Sequence, residues 1–552
     1  MLSGHDEKLV PPPFLAAAAG HEVLTSHKQS TIFSTAEVNL ALSNTTTVIR
    51  LFFYAILAAC GGFLLGYDNG VMGGVSSSNA YLQLFFPEVM SSKMSGSGSV
   101  YCVYNDHILS LVTSSLFLSA APSALLGGYL CNKHGRKAVL MASGLAFLIG
   151  TAMVASSFSV IQLVLGRLLL GVGVGLSTMA TPMYLTEIAP YKWRGRLNIC
   201  FQLFITIGIF GAQGLNLGLL SIADYGWRIS LALGAVPALL IILGCILLPD
   251  TPTSLIARGQ DARAKAVLGY LRGTSQKKEA DTVFSSEVNE EFEILKNSVE
   301  NTLSSQRGSF CALFTRLRCR PHMFMCCLLP FFQQFTGINA IMFFGPQLFQ
   351  AAGQGDRASL LSCVIIGSVN VGSTFLALWL ADLCGRKRLF FAGAVQMLLT
   401  LGVVAGLIQL IKTQYAGNTR IAAAIIALIC LFVSGFAYSW GPLAWLVPSE
   451  LANESTRSAG MGLTTFTNFF FTFVIGQAFL PMMCSMEWGV YLFFAGFVII
   501  MSLYVQCTLP ETMGIATEEV EGLICGSWPW RMWCNEKLED QGVETIAVKP
   551  CV

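Results

Sequence analysis

The chain has 552 residues, 54% of them hydrophobic and only 12% charged, with a mean hydropathy of +0.63. Soluble domains carry about 25% charged residues, so a water-soluble globular protein is excluded and a membrane protein with many spans is indicated. Lys and Arg number 33 against 31 Asp and Glu, and the basic residues sit in short clusters beside apolar runs, which excludes a polyanionic partner such as nucleic acid.

Residues 1–50 form a mixed, polar tail. The first apolar run begins only near Leu51, so no secretory signal is expected, and the acids Asp6, Glu7, Glu22 and Glu37 argue against a plastid or mitochondrial transit peptide. Twelve apolar stretches then follow, each with about 20 or more residues, enough to cross a bilayer. They are predicted at 51–75, 108–131, 138–159, 160–186, 197–222, 227–249, 323–352, 358–380, 388–412, 420–449, 458–483 and 487–508. A polar linker at 250–322 divides them six and six, and a polar tail occupies 509–552. Placing both termini in the cytoplasm puts 27 of the 33 basic residues on that side, as the positive-inside tendency requires. The loop 76–107 is then the longest outer segment and a candidate lid. The linker's alternating charges predict short amphipathic helices, either a cytoplasmic latch or a solvated connection.

The first span carries Gly62, Gly66, Gly70 and Gly74, one every four residues, with Asp68 on the far side of that stripe. A small-residue stripe suits tight packing on another helix. An acid at membrane depth costs at least about 2.5 kcal/mol, which marks it as functional unless it lies in the headgroup zone. The fourth span carries Arg167 in LGRLLLGVGVG. These are the two ionisable residues well inside spans, and two opposite charges in one low-dielectric interior are expected to pair. Arg does not deprotonate in proteins, so Asp68 is the member able to switch; a static salt bridge is the competing reading.

The spans also hold Gln202, Gln333, Gln334, Asn339, Asn370 and Asn468, five of them in the second half. Each amide alone suits helix packing. Together, without further charge, they suit a neutral polyhydroxylated ligand, because an amide both donates and accepts. In QQFTGIN, Gln333 and Asn339 point about 240° apart on a straight helix, so a break near Gly337 is predicted to bring them together. Trp445 is either a stacking surface for a sugar ring or an interfacial anchor. Cys102 and Cys484 are the outward-facing cysteines, either paired or two free thiols. No nucleotide loop, metal-type spacing or nucleophile elbow is present, so neither an enzyme nor a cofactor is expected.

The two halves repeat. Gly135-Arg136-Lys137 recurs as Gly385-Arg386-Lys387, the Glu187 to Arg194 spacing recurs as Glu450 to Arg457, and Pro249-Asp250-Thr251 recurs as Pro510-Glu511-Thr512, at offsets of 250, 263 and 261. This is duplication of a six-helix unit. The fold class expected is therefore all-α, with twelve transmembrane helices in two six-helix halves and a site between them, the major facilitator architecture.

The stretches GYDNGVMGGV, GRLLLGVGVG, YLTEIAP, FQLFITIGI, FFQQFTGINAI, VNVGSTF, GFAYSWGPLAWLVPSEL and VIGQAF resemble the sugar porter branch of the major facilitator superfamily, most of all the hexose–proton symporters of green algae and plant sugar transport proteins. The resemblance implies that Asp68 takes and gives the proton with Arg167 as partner. It implies that Gln202, Gln333, Gln334, Asn339, Asn370, Trp445 and Asn468 bind the sugar, and that Cys102 and Cys484 form a lid disulfide. It further implies a cytoplasmic charge network of Arg136, Glu187, Arg194, Asp382, Arg386, Glu450 and Arg457. Leu65 stands where plant members often carry Phe beside the proton site. Asn132 replaces the acid of the first GRK motif, which predicts a weaker network in that half. The expectation is a plasma-membrane, proton-coupled hexose symporter working as a monomer on sugar and protons. A facilitative uniporter or a non-transporting sensor is the other reading.

Overall fold

The computed structural model describes residues 45–95, 100–190, 193–219, 222, 224–273, 286–304, 313, 320–351, 354–413, 419–451, 457–513, 520–528 and 530–531. Twelve helical spans cross it: Val48–Ser77, His107–His134, Arg136–Ala155, Val160–Ile188, Arg194–Leu219, Gly226–Leu247, Arg320–Gln350, Asp356–Cys384, Arg386–Leu410, Arg420–Leu451, Arg457–Met486 and Gly489–Thr508. Each coincides with a predicted stretch to within a few residues, and no strand occurs among the described residues. Large apolar side chains stay exposed on the outward faces, for example Leu126, Leu243, Leu399 and Leu503. In a bilayer those faces meet lipid, while the helices satisfy their own backbone groups.

The glycine stripe of the first span packs on the fifth. A methyl placed on Gly62, Gly66 or Gly70 would collide with the backbone carbonyl of Phe201, Ile205 or Ile209, in the case of Gly66 at 2.0 Å. GVGVG is a second such surface: Gly171 and Gly175 lie against the carbonyls of Leu116 and Ala120 in the second span, and Gly173 against that of Ser143 in the third. The first half is thus drawn close where its sequence removes side chains, as in other membrane helix pairs.

Three spans are broken. The sixth breaks between helices Gly226–Ala232 and Ala235–Leu247, the seventh between Arg320–Gln334 and Ile338–Ala351, and the tenth between Thr419–Tyr438 and Trp440–Leu451. The seventh turns at Gly337, whose φ of +84° falls in the left-handed region that glycine tolerates. The predicted break is where the sequence placed it.

The described residues of the segment at 76–107 fold over one end as helices Asn79–Phe85 and Pro87–Ser95 and a 3₁₀ turn Val100–Cys102. Tyr81 anchors it edge-on to Trp227 of the sixth span, centroids 5.5 Å apart. Cys102 and Cys484 are disulfide-bonded with Cα atoms 4.6 Å apart, which ties this segment to the eleventh span.

The linker contributes helices Pro252–Ala257, Asp261–Arg272 and Ser286–Ser304 at the other end. They are more than solvated connections: Leu255, Leu268, Val288 and Phe292 close a small core of their own. Arg50 holds it to the first span through the carbonyl of Tyr270 at 2.7 Å. The tryptophans of the tail divide. Trp528 is exposed, Trp530 is buried and donates to the carbonyl of Thr508 at 2.7 Å, and Trp533 lies outside the described residues.

Candidate functional site

Between the halves lies a cavity. All seven residues predicted to bind sugar line it: Gln202, Gln333, Gln334, Asn339, Asn370, Trp445 and Asn468. They come from the fifth, seventh, eighth, tenth and eleventh spans. The broken seventh span delivers Gln333, Gln334 and Asn339 together, because the turn at Gly337 reorients the chain between them.

The amides differ in what they have left to offer. Gln333 donates to the carbonyls of Trp440 and Gly441 at 3.1 and 3.0 Å and accepts from Asn468 at 2.7 Å. It therefore ties the seventh span to the break in the tenth and orients Asn468. Asn339 donates to Gln334 at 2.5 Å. Asn370 and Asn69, by contrast, each keep a buried Oδ1 with no protein partner. A buried acceptor without a donor costs about 1–3 kcal/mol, so a hydroxyl-bearing ligand gains by supplying one.

Trp445 is buried in this wall, edge-on to Phe201 at 5.7 Å, which removes its interfacial-anchor reading. Leu65, Phe117, Ile205, Ile209, Ile338, Met342, Phe436 and Phe469 complete the apolar surface, and Thr472 adds a hydroxyl. Among the described residues, no charged side chain lines the cavity. Amides over apolar walls match a solute with hydroxyl edges and carbon faces.

Asp68 and Arg167 meet as expected. Arg167 Nη1 lies 2.6 Å from Asp68 Oδ1, with the two residues 0% and 3% exposed. The guanidinium also donates to the carbonyls of Val112 at 3.1 Å and Thr113 at 2.6 Å, so it is fixed to the second span. Asp68 Oδ2 has no partner. Asp68 itself is not in the cavity wall, whereas Leu65 and Asn69, on either side of it in sequence, are. Asn69 is expected from the sequence only as a neighbour that tunes the acid; its place in the wall, like that of Thr472, comes from the structure.

At the linker end, Arg136 pairs with Glu187 at 2.7 Å, and Glu187 also accepts from Thr251 at 2.5 Å. The repeat is reproduced in the second half, where Arg386 pairs with Glu450 at 2.8 Å and Glu450 accepts from Thr512 at 2.7 Å. Asp382 lies 3.5 Å from Arg386 and reaches across to Arg196 of the first half at 2.8 Å. In the corresponding place Asn132 donates to Ser458 at 2.9 Å, a neutral bond where its counterpart is ionic. Arg194 and Arg457 open the fifth and eleventh spans at this same end.

A twelve-span duplicated bundle with an uncharged, amide-lined cavity at its centre and one buried ion pair beside it is a secondary carrier of the major facilitator type for a small neutral solute. Residues 54–523 match the family model described as "Sugar (and other) transporter". The chain belongs to that family and is a carrier, not an enzyme. It is 44% identical to "H(+)/hexose cotransporter 2" of Parachlorella kessleri over 88% of this chain and 89% of that one. It is 43% identical to "Sugar transport protein 10" of Arabidopsis thaliana over 87% and 92%. Among solved structures it resembles a proton:xylose symporter, XylE, bound to 6-bromo-6-deoxy-D-glucose, with a TM-score of 0.71 at 24% identity over 86% of this chain and 98% of that one.

Proposed function

We propose that the protein moves a hexose together with a proton by alternating access, with the sugar held by the amide-lined cavity and the proton by Asp68. The observation that carries this reading is the Asp68–Arg167 pair, buried immediately behind the wall formed by Leu65 and Asn69. The names of the relatives, hexose cotransporters and sugar transport proteins, support the substrate class. A carrier for a neutral sugar needs no buried charge to bind it, so the pair serves something other than the sugar.

The geometry suits a switch. Ionised, Asp68 holds Arg167 and so joins the first span to the fourth and, through the carbonyls of Val112 and Thr113, to the second. Protonated, it loses the charge attraction. Removing one partner of a buried pair is worth about 3–5 kcal/mol. Moving a two-state equilibrium from 1:99 to 99:1 takes about 5.5 kcal/mol, so one proton is of the right size to bias closure of the first half over a sugar held mainly by the second. Leu65 and Asn69 touch both events, since they share a helix turn with Asp68 and face the cavity. The functional setting proposed is the plasma membrane, with both termini cytoplasmic, a monomer as the working unit, and the proton as coupling ion in place of a cofactor.

The test is uptake into proteoliposomes with an imposed pH gradient, acid outside. Hexose should accumulate above equilibrium, and Asp68→Asn should reduce accumulation to simple equilibration. Undiminished accumulation by Asp68→Asn would overturn the coupling role. Equilibration without accumulation by the unsubstituted protein would identify a uniporter.

A further inference from the structure

The first span is held at one rotation about its own axis. Gly66 and Gly70 lie against the carbonyls of Ile205 and Ile209, where an added methyl would stand 2.0 and 2.6 Å from oxygen. Asn216 of the fifth span spends its amide on the same stretch, donating to the carbonyls of Gly70 and Val71 at 3.3 and 3.0 Å. With that face fixed, the direction of every other side chain on the turn follows at about 100° per residue. Asp68 is turned to Arg167. Leu65 and Asn69, four residues apart, share the face that meets the cavity. Asn69 cannot swing out of that wall without lifting the glycines off the fifth span.

Packing does not explain an amide at this place. Asn69 is 6% exposed and its Oδ1 has no protein partner, whereas a leucine of nearly the same shape would fill the wall without stranding an acceptor. Gln333, Gln334, Asn339 and Asn468 are bonded among themselves. Asn370 of the eighth span shares with Asn69 an unpartnered Oδ1, so each half brings one such amide to the wall. We propose that Asn69 is a sugar ligand supplied by the first span, that its Oδ1 takes the proton of one ring hydroxyl, and that it makes the carrier selective for a free hydroxyl at that ring position. A sugar bonded to Asn69 and Asn370 is held from both halves at once. A site built to bond a hydroxyl discriminates strongly against an analogue lacking it, because the acceptor is then left unpaired. The proposal rests on the sugar-binding reading of this cavity.

The test uses the purified full-length protein and reads thermal stabilisation by added sugar, which reports binding independently of transport. The probes are glucose and its 1-, 2-, 3-, 4- and 6-deoxy analogues. In the unsubstituted protein, removing the hydroxyl at one of these positions should raise the half-saturating concentration about tenfold through loss of the Asn69 bond. Asn69→Leu should raise the value for glucose about tenfold. For that one deoxy analogue the variant should bind within twofold of its own value for glucose, because a single bond is lost only once. At the other positions the two losses should multiply. Asn69→Ala should single out the same position, and it serves as the second variant should Asn69→Leu fold poorly. Two results overturn the proposal. One is an unchanged half-saturating concentration for glucose in both variants. The other is losses that multiply at every position, which would mean that the substitution only reshapes the wall. Failure of glucose to stabilise the unsubstituted protein would instead overturn the sugar reading of the cavity, and this proposal with it.

Discussion

Residues of one chemical type in one cavity do different work here, and their hydrogen bonds separate them. Gln333 has both ends engaged, by Asn468 and by two carbonyls of the tenth span. Asn370 keeps a free acceptor in the cavity wall. Asn370→Leu is therefore expected to raise the KM for hexose about tenfold or more with little loss of folded protein, because it removes a group aimed at the ligand. Gln333→Leu is expected to lower the melting temperature and the yield as well, because it strands the carbonyls of Trp440 and Gly441 and releases Asn468. Equal melting temperatures for the two variants would contradict this division. The residue types were legible in the sequence, and so was their fit to a neutral ligand. Which amide was spent on structure was not, because Trp440 and Asn468 reach Gln333 from spans more than a hundred residues away.

Helix packing in the first half depends on missing side chains. Gly66 touches the fifth span at a carbonyl, an atom that cannot rotate away, whereas Gly214 on the fifth span has nothing within 4 Å of an added methyl. Gly66→Ala is expected to destabilise by about 1–3 kcal/mol or more and to lose uptake, since it forces apart the helix that carries Asp68. Gly214→Ala is expected to fold and transport normally, and melting temperature with uptake rate checks both. The stripe and the acid opposite it were visible as a four-residue period. The partner helix was not, since the period says that a face is small and not what it meets. The break at Gly337 was legible for a firmer reason: two amides useful to one ligand could not converge on a straight helix.

At the level of the whole molecule, bonds between the halves close both ends around the cavity. At the lid end, Gln347 donates to Ser76 at 2.8 Å and Gln477 to Ser114 at 2.7 Å, beside the Phe117–Phe343 stack and the disulfide. At the linker end, Asn198 donates to Ser449 at 2.8 Å alongside Asn132–Ser458 and the Arg196–Asp382 ion pair. The disulfide is the covalent member of this set. Cys102→Ser, Cys484→Ser and the double variant are expected to lower the melting temperature by the same amount, because each removes the same bond; additive losses would mean that the cysteines act separately. Residue order alone was enough for the twelve spans, the six-and-six duplication, the uncharged amides and the lone pair of opposite charges. These are signals of composition, period and repetition, carried by short stretches of chain. Only the tertiary structure decided that Asn69, Thr472 and apolar residues from both halves share the wall with the amides, and that Asn132 finds Ser458. Such contacts join spans far apart in sequence, and their register is settled by how ridges and glycine grooves interlock.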